Sequence, residues 1–162
     1  MSESPCTRRI FSNGTHFSEV EVDPDTGFVE WVRHIAANDS GEVINPLLLA
    51  GQVHGGVAQG IGQALMEVVT YDSDGQILAG SFLDYCMPRA DDLPMIETSD
   101  FVEACQTNPL GVKGGGESGT VGSIAAAVNA IVDALSEYGV KDIDMPVTPL
   151  RVWEAIQAGK AA

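Results

Sequence analysis

The sequence predicts an α+β domain, a hairpin or mixed sheet followed by glycine-rich loop–helix units. Three observations carry that prediction. Two alternating, β-prone segments flank a turn near residue 25. Apolar residues then recur at helical spacing in two later stretches. Glycines crowd the first of these stretches and immediately precede the second.

Residues 1–12 are polar, lack a clear period and read as a leader; residues 13–162 read as the domain. Phe17–Val22 alternates, with Phe17, Glu19 and Glu21 on one face and Ser18, Val20 and Val22 on the other. Asp23-Pro-Asp-Thr-Gly27 is a turn by composition, since proline fixes φ and glycine tolerates φ > 0. Phe28–Ala36 returns as a strand, Asn38–Gly41 breaks it, and Asn45-Pro46 marks an extended corner. Over Leu47–Val69, the residues Val53, Val57, Ile61, Leu65 and Val68 fall at helical spacing. The glycines at 51, 55, 56, 60 and 62 each weaken an isolated helix by about 1 kcal/mol relative to alanine. Something must therefore approach that backbone closely, whether another element or a ligand. Asp72–Gly75 is a further turn, and Ile77–Phe82 and Met95–Glu103 look strand-like. A polar glycine loop, Pro109–Gly119, leads to a helix over Ser123–Tyr138 with Gly139 as C-cap. A short strand at Lys141–Met145 and a last helix, Leu150–Gln157, capped by Thr148-Pro149, complete the chain.

Composition narrows the function. The 162 residues are 44% hydrophobic and carry a formal net charge of −15, enough apolar content for a core and too acidic to suit nucleic acid or an anionic membrane surface. The excess charge reads as a solvated surface, or as a face that meets basic partner subunits. Cys6, Cys86 and Cys105 are odd in number and contain no Cys-x-x-Cys pair. They indicate no disulfide framework, zinc site or protein-held iron–sulfur cluster, and a reducing cytoplasm fits them best. No apolar run approaches the roughly 20 residues of a membrane span, and the N-terminus lacks the apolar stretch of a secretory signal.

Two segments carry candidate chemistry. In Gly111-Val-Lys-Gly-Gly-Gly-Glu-Ser-Gly119, three consecutive glycines let backbone N–H groups converge ahead of a helix N-terminus, which makes an anion cradle. Glu117 is out of place in a pure phosphate loop. It reads either as a general base beside a closely held ligand or as a carboxylate capping the helix. Gly114-x-Gly116-x-x-Gly119 also matches the dinucleotide fingerprint weakly. The strand before it is short, and only Asp142 or Asp144 stands where the acidic partner is needed. In the other segment, Gln52 and Gln59 lie on the glycine-rich helix. A glutamine amide both donates and accepts, which suits a heterocyclic or pterin edge, although surface glutamines on a packed helix look the same. His54 stands alone, and His16 and His34 in the hairpin do not make metal-ligand spacing with it.

Together, Asn45-Pro46, Gly51-Gln52…Gly55…Gln59-Gly60…Gly62 and Lys113-Gly-Gly-Gly116-Glu117 resemble the second molybdopterin-binding domain of the xanthine oxidase family. The tail Asp144–Pro149…Trp153 resembles the aerobic carbon-monoxide-dehydrogenase branch. The resemblance runs from about Phe11 to Ile156. It implies a molybdenum hydroxylase in which the metal is held by the pterin dithiolene, with no side-chain ligand. Glu117 would be the base, and the oxygen delivered to the substrate would come from water. It further implies that Gln52 hydrogen-bonds the pterin, joined by Gly55 and Gln59. Lys113, Gly114, Gly115, Gly116 and Ser118 would form the loop around the cofactor, expected in its cytosine dinucleotide form. Family large subunits are several times longer, so the chain corresponds to part of one: a split-gene subunit, a fragment or an excised domain. The implied partners are the missing first molybdopterin domain and separate iron–sulfur and FAD subunits, with no iron–sulfur or flavin group in this chain. Exposed partner surfaces would also allow homo-oligomers. The rival expectations are a non-catalytic remnant or interaction module of the same fold, and a dinucleotide-binding domain.

Overall fold

A computed structural model describes residues 10–161, so most of the expected leader lies outside the described residues. Two strands, β1 (Asn13–Val22) and β2 (Val29–Asp39), form the hairpin; α1 (Pro46–Leu65) follows, then β3 (Ile96–Asp100), α2 (Ser118–Ala134) and α3 (Pro149–Lys160). The sheet order is β1-β2-β3, antiparallel in the hairpin and parallel between β2 and β3. The predicted α+β architecture with a mixed sheet is what the chain adopts.

The hairpin turn closes as its composition predicts. Gly27 takes φ 73°, and its N–H donates to the Asp23 carbonyl at 2.8 Å. Along β1 the inward positions are His16, Ser18, Val20 and Val22, whereas Phe17, Glu19 and Glu21 face out. Strand β2 departs from simple alternation. The register slips where Glu19 pairs with Arg33 and Val20 with Trp31, so Val32 and Arg33 are both exposed. This bulge puts Trp31 and His34 on the same inner face although they lie three residues apart.

Helix α1 starts at Pro46 because Asn45 caps it, its side-chain oxygen accepting from the Leu48 N–H at 3.1 Å. The corner expected at Asn45-Pro46 is thus a helix cap. The helix ends four residues short of the expected Val69, where the Met66 and Glu67 N–H groups both turn back to the Gly62 carbonyl. Ile77–Phe82 forms no strand; Ile77 makes a single bridge to Tyr71. Lys141–Met145 is likewise without a strand, and Val147, just beyond it, ties to the end of α1 through its N–H on the Ala64 carbonyl.

The largest departure concerns α2, which begins at Ser118, five residues before the predicted start. Its glycines resemble a loop, yet two of them are contact points. A Cβ on Gly119 would lie 2.5 Å from the Val53 carbonyl oxygen, and one on Gly122 would lie 2.4 Å from the His16 ring. On the facing helix, a Cβ on Gly60 would lie 2.0 Å from Ser123 Oγ, and one on Gly56 would lie 2.9 Å from the Thr120 nitrogen. The two helices therefore meet backbone to backbone along α1's Gly56–Gly60 edge. Gly139 does act as a cap, at φ 77°, but of the short 3-10 turn Ser136–Tyr138 that follows α2. The core lies between these helices, the inner face of the sheet and α3. Val53, Val57, Ile61, Ala127, Ile131, Leu135, Val152 and Ile156 are buried in it.

His34 is wholly buried, and burial, with His16 beside it, pushes its pKa down to about 4 from 6.5. Between those values the unfolded chain takes up a proton that the folded chain refuses. The His34 contribution is therefore complete above pH 6.5 and declines as the pH falls to about 4, by up to ~3 kcal/mol. Urea unfolding of the chain at a series of pH values is expected to show this slope, and His34→Gln to flatten it. A parent chain equally stable at pH 4.5 and pH 7 would contradict the assignment.

Candidate functional site

The glycine loop is stitched to the end of β2. The Glu42 N–H donates to the Gly111 carbonyl at 3.0 Å, and the Lys113 N–H donates to the Ser40 carbonyl at 2.8 Å. Asn108 clamps the approach: its Oδ1 accepts from the Leu110 and Val112 N–H groups, and its Nδ2 donates to the Val112 carbonyl. Beyond Lys113 the chain is bare. Gly115 rests on Leu49 and Ser40, but a Cβ on Gly114 or Gly116 would meet nothing within 4 Å.

Lys113 does not reach outward. Its ammonium pairs with the Asp39 carboxylate, and both side chains are about nine-tenths buried. Asp39 also accepts from the Gly41 N–H at 2.9 Å, the Glu103 N–H at 3.3 Å and Asn13 Nδ2 at 3.1 Å. The Lys113 contact chiefly, then the Gly41 N–H, hold the carboxyl at about 2, below its ordinary 3.8. The stability Asp39 contributes is thus present above pH 3.8 and lost only as the pH falls toward 2. Lys113 anchors the loop from behind, a role its position in the motif does not reveal. Asp39→Asn leaves a buried ammonium unbalanced and is expected to speed amide hydrogen exchange over residues 111–116 while α3 keeps its protection. Unchanged exchange in the loop would show that the pair is not its anchor.

Glu117 occupies the N-cap position of α2, yet its side chain makes no capping bond, so the capping explanation for this residue does not apply. It is exposed and, with Ser118, Val121 and Gly122 of α2, lines a pocket of about 340 Å³. The opposite wall comes from Phe11–Gly14, His16 and Asn38. Ser118 itself is turned back, its hydroxyl donating to the Gly115 carbonyl at 3.3 Å. No sequence motif announces His16 or Asn38, because the hairpin brings them to the site through tertiary contact alone.

Gln52, Gly55 and Gln59 are all exposed on α1, and their spacing of three and four residues places them on one stripe. The Thr120 hydroxyl donates weakly to Gln59 Oε1 at 3.4 Å. Gln52 directly precedes Val53, whose carbonyl abuts Gly119, two residues beyond Glu117. The two predicted segments therefore converge at the N-terminal end of α2. A Cβ on Gly51 or Gly55 would meet nothing within 4 Å, so packing within this chain does not explain these glycines. The dinucleotide fingerprint lacks its structural frame: Val112 makes only an isolated bridge, and Asp142 and Asp144 lie outside any strand. Among the described residues, no group of three or more His, Cys, Asp or Glu side chains could hold a metal ion, and no helix is long and apolar enough to cross a membrane.

A family model described as a molybdopterin cofactor-binding domain matches residues 2–94. The chain belongs to the molybdopterin cofactor-binding domain of the xanthine oxidase and aerobic carbon monoxide dehydrogenase family. The match starts ahead of Phe11, where the sequence resemblance begins, and ends before the glycine loop. Relatives extend it. The chain is 43% identical over 149 residues to the nicotine 6-hydroxylase large subunit of Paenarthrobacter nicotinovorans, covering 92% of this chain and 18% of that one. It is 37% identical to the carbon monoxide dehydrogenase large chain of Hydrogenophaga pseudoflava, over 89% and 18%. Quinoline 2-oxidoreductase from Pseudomonas putida 86 superposes with a TM-score of 0.86 at 38% identity, over 90% of this chain and 19% of that chain. The chain spans less than a fifth of the length of these relatives. Their names refer to three different substrates, so the shared molybdopterin-binding fold does not by itself select one.

Proposed function

We propose that the chain supplies the base-bearing part of a molybdenum hydroxylase active site, with Glu117 as the base. One observation carries this reading: Glu117 stands at the N-terminus of α2 with its side chain free of any capping bond, directly after the bare Gly116 and at the point where the two family motifs converge. The residues present fit a molybdopterin-type cofactor. Gly51, Gly55, Gly114 and Gly116 leave open backbone that side chains would obstruct. The first N–H groups of α2 favour an anionic ligand, and the Gln52 and Gln59 amides can donate and accept at a pterin edge. Gln52, Gly55, Gln59, Gly114, Gly115, Gly116 and Ser118 would hold the group, and Lys113 would fix the loop through Asp39. The cytosine dinucleotide form belongs to the same reading.

The bound cofactor would supply a two-electron acceptor at molybdenum. The work of this chain is proton transfer and positioning. The Glu117 carboxylate would take a proton from the water that provides the oxygen, and the glycine loop, tied to the end of β2 through Lys113, would hold that carboxylate in place. Large apolar side chains on the surface, among them Leu47, Phe82, Leu83 and Met95, each at least 82% exposed, suit a domain covered by the rest of a large subunit. Iron–sulfur and FAD subunits would carry electrons onward, in a cytoplasmic complex. Turnover by the complete molybdenum-loaded complex carrying Glu117→Gln tests the assignment; undiminished turnover would overturn it.

A further inference from the structure

From the end of α1 to just past β3, over residues 66–103, no residue is buried. The same segment carries eleven of the twenty-four large apolar side chains that are exposed among the described residues. Leu83 is 94% exposed and Phe82 86%. Ordering such side chains in water costs free energy that burial normally offsets, so this surface lacks its cover.

Polar contacts give the segment a defined shape. The Tyr85 hydroxyl donates to the Glu67 carboxylate, the Ser81 hydroxyl donates to Asp84 Oδ2 at 2.6 Å, and the Arg89 N–H donates to Asp92 Oδ2 at 2.7 Å. Pro88 presses on α1 at Gly62, where a Cβ would lie 2.8 Å from its ring. At the far end, the Phe101 N–H donates to the Asn38 carbonyl at 2.8 Å. The apolar side chains are thus held outward on a frame tied to the core at both ends. Within the frame lies a groove of about 630 Å³, lined by Phe82, Leu83 and Met87 together with Asp84, Arg89 and Asp92.

Charge selects the occupant. Residues 66–103 include nine Asp or Glu against one Arg and no Lys, so the complementary surface is apolar with positive charge around it. A second copy of this chain is a poor complement, since it brings the same acidic surface at a formal net charge of −15. The relatives carry the counterpart of this chain within large subunits of which it spans 18%, so most of such a subunit lies outside it.

We propose that residues 66–103 form the docking surface for the remainder of a large subunit, with an apolar segment of that polypeptide, flanked by Lys or Arg, seated on Phe82, Leu83 and Met87. This rests on the chain being part of a large subunit and is independent of the role of Glu117.

The chain co-expressed with its neighbouring genes is expected to co-purify with the large-subunit remainder. Amide hydrogen exchange over residues 66–103 should be slower in that complex than in the chain alone. Leu83→Asp puts a charge into the contact and is expected to weaken the complex roughly tenfold or more, whereas Leu83→Met keeps the parent affinity. The side chain lies in water in the chain alone, so both variants should melt with the parent. Association is expected to slow as salt rises, and a rate indifferent to salt would overturn the basic character of the partner. Parent-like affinity in Leu83→Asp, or exchange over residues 66–103 unchanged by the partner, would overturn the docking surface. So would a chain that sediments alone as a dimer and is split by Leu83→Asp, because a second copy would then be the occupant. A parent chain that assembles with no large-subunit polypeptide would overturn this proposal and the large-subunit reading together. Full turnover in Glu117→Gln with assembly intact strikes only the base.

Discussion

Replacing Glu117 by glutamine in the complete, molybdenum-loaded complex is expected to lower kcat by roughly 10²–10⁴-fold, the usual cost of losing a positioned general base. Glutamine keeps the side chain's length and its hydrogen-bonding capacity but cannot take a proton. Since Glu117 makes no capping bond, the substitution removes no helix cap. Molybdenum content and thermal stability should therefore match the parent complex, and the loss should fall on turnover. A variant that loses molybdenum in proportion to activity would place Glu117 among the residues that hold the cofactor. Equal activity at equal molybdenum would remove it from the reaction.

The glycines divide into two classes that single substitutions should separate. Gly119→Ala puts a methyl group 2.5 Å from the Val53 carbonyl oxygen and 2.9 Å from the Val57 nitrogen. Backbone cannot move aside as a flexible side chain can, so α1 and α2 must part. The expected cost is about 3 kcal/mol, a fall in Tm of roughly 10 °C for a domain of this size. Gly55→Ala is expected to do the reverse and stabilise the chain by up to ~1 kcal/mol, since the helix gains a better former and the methyl group meets nothing. Gly55→Leu also suits a helix, and its side chain would project into the space assigned to the cofactor. Thermal melting of the chain, with molybdenum analysis of the complex, checks both. The account expects a low Tm for Gly119→Ala, and an intact fold with depleted molybdenum for Gly55→Leu. Full molybdenum in Gly55→Leu would return Gly55 to the role of an incidental surface glycine.

The hairpin, both long helices and the caps at Thr148 and Gly139 were legible because each rests on local pattern. The start of α2 was not. Gly119 and Gly122 have the composition of a loop, and only α1 and His16, both distant in sequence, make them helical contact points. The buried partner of Lys113 was hidden for the same reason. The motif position of Lys113 points toward a ligand, while its partner, Asp39, lies 74 residues away and carries no signal. The bulge in β2 shows the limit again: strict alternation cannot put Trp31 and His34 on one face, and the slipped register that does so is set by pairing with β1. The glycine loop and Glu117 were visible as a constellation. The pocket wall opposite Glu117, built from His16 and Asn38, was beyond reach of any local pattern.

The central claim is that this chain forms part of a molybdenum cofactor site. Its most direct test is the molybdenum and pterin content of the chain purified alone and after co-expression with its neighbouring genes. The account expects both in the co-expressed complex, in equal amounts and in proportion to the chain. A complex that assembles without either would contradict it, leaving a folded interaction module that carries the motif without the cofactor.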